Sequence, residues 1–270
     1  MFRESESDRL AASAGWQALL GRYATAGLAD IADTAVAHRA DTKFLLPAEE
    51  LRSTLATLGD HYRVLDIDGR RFTAYETQYF DTGNYELFQR HHSGGSNRCK
   101  VRTRLYANTG LAFLEVKQKT PNGRTLKYRV PTPGFETERL QPWREFIETH
   151  CPYPAALLRP ALRSRFDRIC LLSTERAERL TIDLDLAVDA SADTIDIPRI
   201  AIAELKQERF GEAARESGFL RAMRGMGFRP TAFSKYCIGL LLARPEIKHN
   251  LFKPQLRELR HLMGEANAVA

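Results

Sequence analysis

The chain has 270 residues, of which 43% are hydrophobic and 27% charged, with a formal net charge of +6. That is enough apolar material for one large domain or two small ones, which excludes a disordered or fibrous chain. The modest basic excess suits an anionic partner, whether nucleic acid, membrane surface or phosphorylated small molecule, and does not choose among them.

No run of 18 or more apolar residues occurs, so no membrane-spanning helix is expected. The opening Arg3-Glu4-Ser5-Glu6-Ser7-Asp8 lacks the apolar core of a signal peptide. Cys99, Cys151, Cys170 and Cys237 form no CxxC pair and have no metal-ligand rhythm. They read as reduced thiols, and a cytoplasmic location is expected.

In chain order, residues 1–35 predict a loose helix around 16–27 and a flexible lead. A first strand is expected over 36–46. Pro47 then starts a helix over 47–58, with Glu49 and Glu50 near the positive end of its dipole. A strand over 71–81 follows, with Phe72, Ala74, Glu76, Gln78 and Phe80 on one face. Asp81 would end it and cap the next turn. His91 and His92 read as loop residues before the Gly-rich 93–97.

Strands at 98–106, 111–119 and 124–130 form a meander. Their turns, Asn108-Thr109-Gly110 and Pro121-Asn122-Gly123, are strong hairpin signals. A helix over 137–149 is broken by Cys151-Pro152-Tyr153-Pro154. Alternation returns at 161–172, 179–188 and 199–206. A helix over 211–225 and a surface helix over 245–266 complete the map. The domain division expected is a lead (1–35), a strand-rich domain (36–240) and a C-terminal helix (241–270).

Inside these strands the charges fall at even spacing, two apart or, in one set, four: Arg39, Asp41 and Lys43; Lys100, Arg102 and Arg104; Glu115, Lys117 and Lys119; Lys127 and Arg129; Arg179 and Asp183; Glu204 and Lys206. Strand side chains alternate, so each set shares a face. One such strand is an ordinary solvated face with cross-strand ion pairs. Six suggest one shared surface, mostly cationic with a few carboxylates, which suits a polyanion with a divalent metal. If that face points outward, the opposite faces meet in a sandwich core. If it points inward, the sheet closes into a barrel with a polar bore. Periodicity leaves both open.

No Walker A loop, GxGxxG, HExxH or Ser-His-Asp arrangement is present. RNA binding would want exposed aromatics interleaved with the basic strands, and Tyr106 and Tyr128 alone make no such platform. No nucleic-acid partner is expected.

Eight pieces occur in order: Arg39-x-Asp41-x-Lys43-Phe, Tyr79-Phe80-Asp81-Thr82, Lys100-Val-Arg102-x-Arg104-x-Tyr106, Phe113-Leu-Glu115-x-Lys117, Phe166-x-Arg168, Arg179-x-Thr181-x-Asp183, Glu204-x-Lys206 and Ser234-Lys235-Tyr236. Together they resemble the VTC domain, the polyphosphate polymerase domain of the vacuolar transporter chaperone complex, in its bacterial form. That family belongs to the CYTH, or triphosphate tunnel metalloenzyme, superfamily. The resemblance covers roughly residues 36–240. It implies an α+β fold: an eight-stranded antiparallel β tunnel, a closed barrel, with flanking helices.

By the same resemblance, Lys43, Arg102, Arg104, Lys117, Arg168, Arg179 and Lys206 would be catalytic. Arg39, Lys100, Lys119, Lys127, Arg129 and Lys235 would bind substrate, Lys235 near the tunnel mouth. Glu204, with Glu115 or Asp183, would hold Mn²⁺ or Mg²⁺. The implied partners are ATP and polyphosphate, with room for a membrane partner. At Asp41 the chain departs from the wider superfamily, which favours Glu-x-Glu-x-Lys; this weakens a two-metal triphosphatase reading. Arg163 and Arg165 compete with Arg168 as nearby candidates. The tunnel reading requires Phe44, Val101, Val116 and Leu205 to face helices outside.

Overall fold

The computed structural model describes residues 6–33, 39–95, 98–121, 124–135, 138–189, 194–208 and 217–264. Its strands are β1 (Ala24–Ala26), β2 (Arg39–Pro47), β3 (Tyr62–Leu65), β4 (Thr73–Asp81), β5 (Arg98–Tyr106), β6 (Leu111–Lys119), β7 (Thr125–Thr132), β8 (Arg159–Ser173), β9 (Glu178–Asp189), β10 (Thr194–Ile197) and β11 (Ile200–Glu208). Its helices are α1 (Glu6–Gly21), α2 (Leu28–Asp33), α3 (Ala48–Thr57), α4 (Glu86–His92), α5 (Arg144–His150), α6 (Gly218–Gly225), α7 (Lys235–Ala243) and α8 (Lys253–Leu262).

Eight strands lie side by side in the order β2-β11-β9-β8-β4-β5-β6-β7. Every neighbouring pair along that path is antiparallel. β3, β1 and β10 are short additions off the path. The expected α+β, eight-stranded antiparallel architecture with flanking helices is the observed one. At the β5–β6 turn, Gly110 has φ +70° and its N–H reaches Tyr106 O at 2.9 Å. A side chain there would strain that left-handed conformation.

One face of the sheet packs against helices. Phe44, Ile169, Leu171, Leu180, Ile182, Ala203 and Leu205 form a buried cluster with Trp16, Leu19, Leu20, Leu51, Leu55 and Phe219. Val101, Leu114 and Val116 pack with Ile147, Leu87 and Leu140. Phe44, Val101, Val116 and Leu205 thus face outer helices, as the tunnel reading requires. The N-terminal helix departs from expectation. It begins earlier, at Glu6, and is anchored: Trp16, Leu19 and Leu20 are buried, and Tyr23 Oη donates to Leu55 O at 2.6 Å.

The opposite face is two-toned. At one end its inward positions are apolar: Leu45, Leu162, Val188 and Ile202. They are covered by α7 through Tyr236, Cys237, Ile238, Leu240 and Leu241, with Leu256 and Leu259 of α8 behind. The approach is close. A Cβ on Gly239 would lie 2.7 Å from Leu162 Cδ2 and 2.9 Å from Val188 Cγ1. Farther along, the inward positions carry the charges, with a few aromatic and hydroxyl side chains among them. Among the described residues no helix is long and apolar enough to cross a membrane.

Candidate active site

The cross-strand register puts the charged residues on one face. Lys43 stands opposite Glu204, and Glu204 opposite Thr181. Lys206 stands opposite Asp41 and Arg179. Asp183 stands opposite Arg168. Tyr75 stands opposite Phe166, Thr77 opposite Arg104, and Tyr79 opposite Arg102. Lys100 faces Lys117, Arg102 faces Glu115, and those two β6 residues face Lys127 and Arg129. The register shifts once between β8 and β9, at Arg165/Asp167, and beyond it Arg168 meets Asp183.

The sheet curls across this face. Lys117 on β6 feels the charges of Lys43 on β2 and Glu204 on β11. Those strands lie at opposite ends of the pairing path, so the charges surround a common bore.

Three carboxylates in the bore, Asp183, Glu115 and Glu204, are each held by two cations. Asp183 accepts a fork from Arg168, Nε at 2.5 Å and Nη2 at 2.7 Å, and a further bond from Lys235. Glu115, 1% exposed, takes Arg102 Nη2 at 2.7 Å and Lys127 Nζ at 2.6 Å. Glu204 is flanked by Lys206 Nζ at 2.6 Å and Lys43 Nζ at 3.8 Å. Burial alone would raise these carboxyls, but the paired cations outweigh it. Glu115 is held down to about 2 by Arg102, Arg104 and Lys127, and Asp183 and Glu204 lie below the usual carboxylate range.

Other cations of the bore lack such a partner. Among the described residues Lys100, Arg104 and Lys117 have no carboxylate within ion-pairing distance. Lys100 Nζ donates to Ser234 Oγ at 2.8 Å. Arg104 is 7% exposed and lies over the Tyr75 ring at 5.1 Å. Lys117 is exposed within the bore. Burial and neighbouring Lys43 nevertheless push its ammonium down to about 8. Burial also lowers Lys100 and Arg104. Arg179 has a buried Nε with no hydrogen-bond partner among the described residues. An anion entering the bore would meet these groups first.

The plugging helix contributes at its N-terminus. Ser234 caps it, accepting from Cys237 N at 3.3 Å, and Lys43 Nζ reaches Phe233 O at 3.3 Å. Lys235, expected near the mouth, instead points into the bore from the first residue of α7. It is 12% exposed and lies 4.4 Å above the Phe166 ring. Two further groups hold that end in place. Tyr236 stacks on Tyr79 at 5.1 Å and donates to Asp81. Asp81, 1% exposed, also accepts from Thr82 N, Leu87 N and Phe88 N at 2.7–2.9 Å, so it caps α4 as expected.

Lys119 and Arg129 lie on the bore face of the β6–β7 side, with Arg129 over the Phe113 ring at 5.0 Å. Arg39 opens β2 opposite Glu208; its side chain lies outside the described residues. Arg163 and Arg165 face away and pair with Glu76 and Asp189, which removes them as competitors of Arg168. His91 and His92 end α4 instead of lying in a loop, and burial pushes His91 down to about 2. Tyr75, Thr77, Tyr79 and Ser234 are site residues that charge spacing missed. The β4 alternation separates these three from Glu76 and Gln78, but supplies no charge to mark them.

Comparison with solved structures gives distant likenesses. A Bacillus halodurans protein named for adenylate cyclase matches with 13% identity over 73% of this chain and 94% of that one, at a TM-score of 0.46. A Hippeastrum protein, named for adenylyl cyclase and described as having a dominant triphosphatase activity, matches with 14% identity over 74% and 93%, at 0.43. The RNA triphosphatase of S. pombe matches with 11% identity over 96% and 94%, at 0.29. No activity follows from likenesses this distant. Comparison with curated proteins gives no match. The sequence model of the VTC domain matches residues 38–244, from the first long strand through the plugging helix, and the chain therefore belongs to the VTC domain family.

Proposed function

We propose that this chain is a metal-dependent polyphosphate polymerase that moves the γ-phosphoryl of ATP onto a polyphosphate chain inside the bore. The observation that carries this reading is the convergence of cations from seven strands and α7 on one enclosed face, with Lys100, Arg104 and Lys117 unpaired by carboxylates among the described residues. ATP carries about four negative charges and a polyphosphate roughly one per phosphate, so a long cationic lining suits both.

The chemistry asks for positioning and charge neutralisation more than for covalent help. An oxygen of the acceptor's terminal phosphate attacks the γ-phosphorus. The bond from that phosphorus to the β–γ bridging oxygen breaks, and ADP leaves with the electron pair. The terminal oxygen is already largely ionised near neutral pH, so no protein base is required. Arg102, Arg104 and Arg168 present planar forks to nonbridging oxygens, while Lys43, Lys117, Arg179 and Lys206 surround the phosphate path.

A hard divalent ion needs oxygen ligands, and one or two carboxylates plus substrate phosphates suffice for Mg²⁺ or Mn²⁺. Among the described residues no group of three potential ligands clusters. Glu204 fits best: its side chain is 20% exposed to the bore, against 1% for Glu115 and 5% for Asp183, both sealed beneath their cations. The ion, when bound, would neutralise charge on the phosphate oxygens.

Incubation with ATP and Mn²⁺ tests the reading. The expected products are ADP and long-chain phosphate, with a lag that added short polyphosphate shortens. Release of orthophosphate alone, at the same rate with or without acceptor, would replace the polymerase by a hydrolase.

A further inference from the structure

The bore is closed by α7 at one end, and at the other its lining changes character. Tyr106 and Phe113 occupy inward positions there, and Tyr75 and Phe166 lie beneath them, toward Lys235 of α7. Tyr75 is fully engaged. Phe166 stacks on it at 5.2 Å, and Arg104 and Arg168 lie over its ring at 5.1 and 5.0 Å. Tyr106 is different. It makes only a tilted contact with Tyr75, at 4.9 Å, and a T-shaped one with Phe113, at 5.9 Å, and it stays partly open to solvent.

Directly opposite Tyr106 stands Leu111, which is 57% exposed. An open leucine and a half-open tyrosine at the rim of a charged bore form an apolar lip that stays exposed among the described residues. The lip is also rigid. Asn108, in the turn between these two residues, accepts from Ala74 N at 2.7 Å and donates to Phe72 O at 3.1 Å, tying the hairpin to β4.

We propose that Tyr106 and Leu111 form the platform on which the base of the nucleoside triphosphate stacks while its phosphates enter the bore. The inference rests on the polymerase reading and adds to it a subsite for the nucleoside. Spacing supports it. Tyr106 follows Arg104 by two residues on one strand, about 7 Å along the bore and about the breadth of a ribose. Any base has a π-face to offer an aromatic platform, and arginines beside it strengthen the stack. The lip presents no fan of polar groups to a base edge, so it distinguishes nucleotides from bare phosphate chains more than one base from another.

The test compares ATP with tripolyphosphate, each with Mg²⁺, on the full chain by titration calorimetry. Tyr106→Ala is expected to weaken ATP about tenfold while tripolyphosphate changes by less than about twofold. Leu111→Ser should do the same more mildly, and Tyr106→Phe should restore ATP binding. Saturation-transfer NMR on the unaltered protein gives a reading independent of any variant's folding, with transfer from protein aromatic protons to the adenine protons expected. An equal loss for both ligands, no loss for either, or no transfer to adenine would overturn the platform and leave the phosphate tunnel standing. An unaltered protein that binds neither ligand would overturn both readings.

Discussion

Lys117 offers the sharpest test of the bore as an anion site. Burial, then the neighbouring Lys43, Lys100 and Arg102, push its ammonium down to about 8, with Glu204 offsetting part of the effect. If Lys117 must be charged to hold a phosphate, ATP affinity should be level below pH 8 and fall above it. At pH 9 about one tenth of the lysines remain protonated, against about nine tenths at pH 7, so the Michaelis constant for ATP should rise about tenfold between pH 7 and 9. ATP itself is fully ionised over that range, so the limb belongs to the protein. Lys117→Arg keeps the charge and cannot deprotonate, so its limb should move upward by a pH unit or more. The assay is steady-state ADP release with Mg²⁺ between pH 7 and 9.5. The same limb in Lys117→Arg would refute the assignment.

The linkage has a definite sign. A lysine pushed down on folding leaves the unfolded chain with more bound protons between about pH 8 and its ordinary value. Stability of the ligand-free protein should therefore rise across that window. Tripolyphosphate at about 100 times its dissociation constant should add about 2.7 kcal/mol at neutral pH, read as an increase in melting temperature.

Glu204→Gln should cut metal-dependent turnover about a hundredfold or more with little loss of folding, while metal-free tripolyphosphate binds no worse because Lys43 and Lys206 are released; full activity in saturating Mn²⁺ would move the metal elsewhere. Gly239→Val drives two methyl groups into Leu162 and Val188, so it should cost about 3 kcal/mol and lower the melting temperature; an unchanged melting point would mean that α7 does not plug the bore as described. Tyr236→Phe keeps the stack on Tyr79 but strips Asp81 of its hydroxyl donor. A loss of about 2 kcal/mol in urea unfolding is expected, and none would show the contact to be idle.

Much of the tunnel is legible in the sequence. The meander expected at 98–106, 111–119 and 124–130 is found as β5, β6 and β7 within two residues. Its Asn108-Thr109-Gly110 turn is a local signal that tertiary packing does not override, while Asn122 and Gly123 of the second expected turn lie outside the described residues. The charged sets of β2, β5, β6, β7, β9 and β11 do share one face, because period-two alternation is fixed by the backbone. What alternation cannot show is which side that face takes, since inward and outward readings have the same period. Ion pairing is also hidden. Arg102 and Arg104 look alike in sequence, yet one is tied to Glu115 and the other has no carboxylate within ion-pairing distance among the described residues. That difference depends on which cross-strand neighbour each meets.

The plugging helix is the instructive miss. Lys235–Ala243 reads Lys-Tyr-Cys-Ile-Gly-Leu-Leu-Leu-Ala, with no polar stripe, because it is buried nearly all round. Such a segment gives no amphipathic period to detect. Its partner, however, is written in the strands. Along β11 the inward positions read Ile200, Ile202, then Glu204 and Lys206; along β2 they read Asp41 and Lys43, then Leu45. On β8 Leu162 gives way to Arg168, and on β9 Arg179 and Asp183 give way to Val188. In every case the change from charged to apolar comes toward the same end of the bore. A bore lined with charge for only part of its length must be filled where the charge stops, since an empty apolar cavity forfeits packing. The need for a plug, and the end at which it sits, therefore follow from the level at which each strand's alternate residues lose their charge. That pattern becomes readable once register is known, and it explains why one short apolar helix carries Lys235 and Ser234 to the floor of the site.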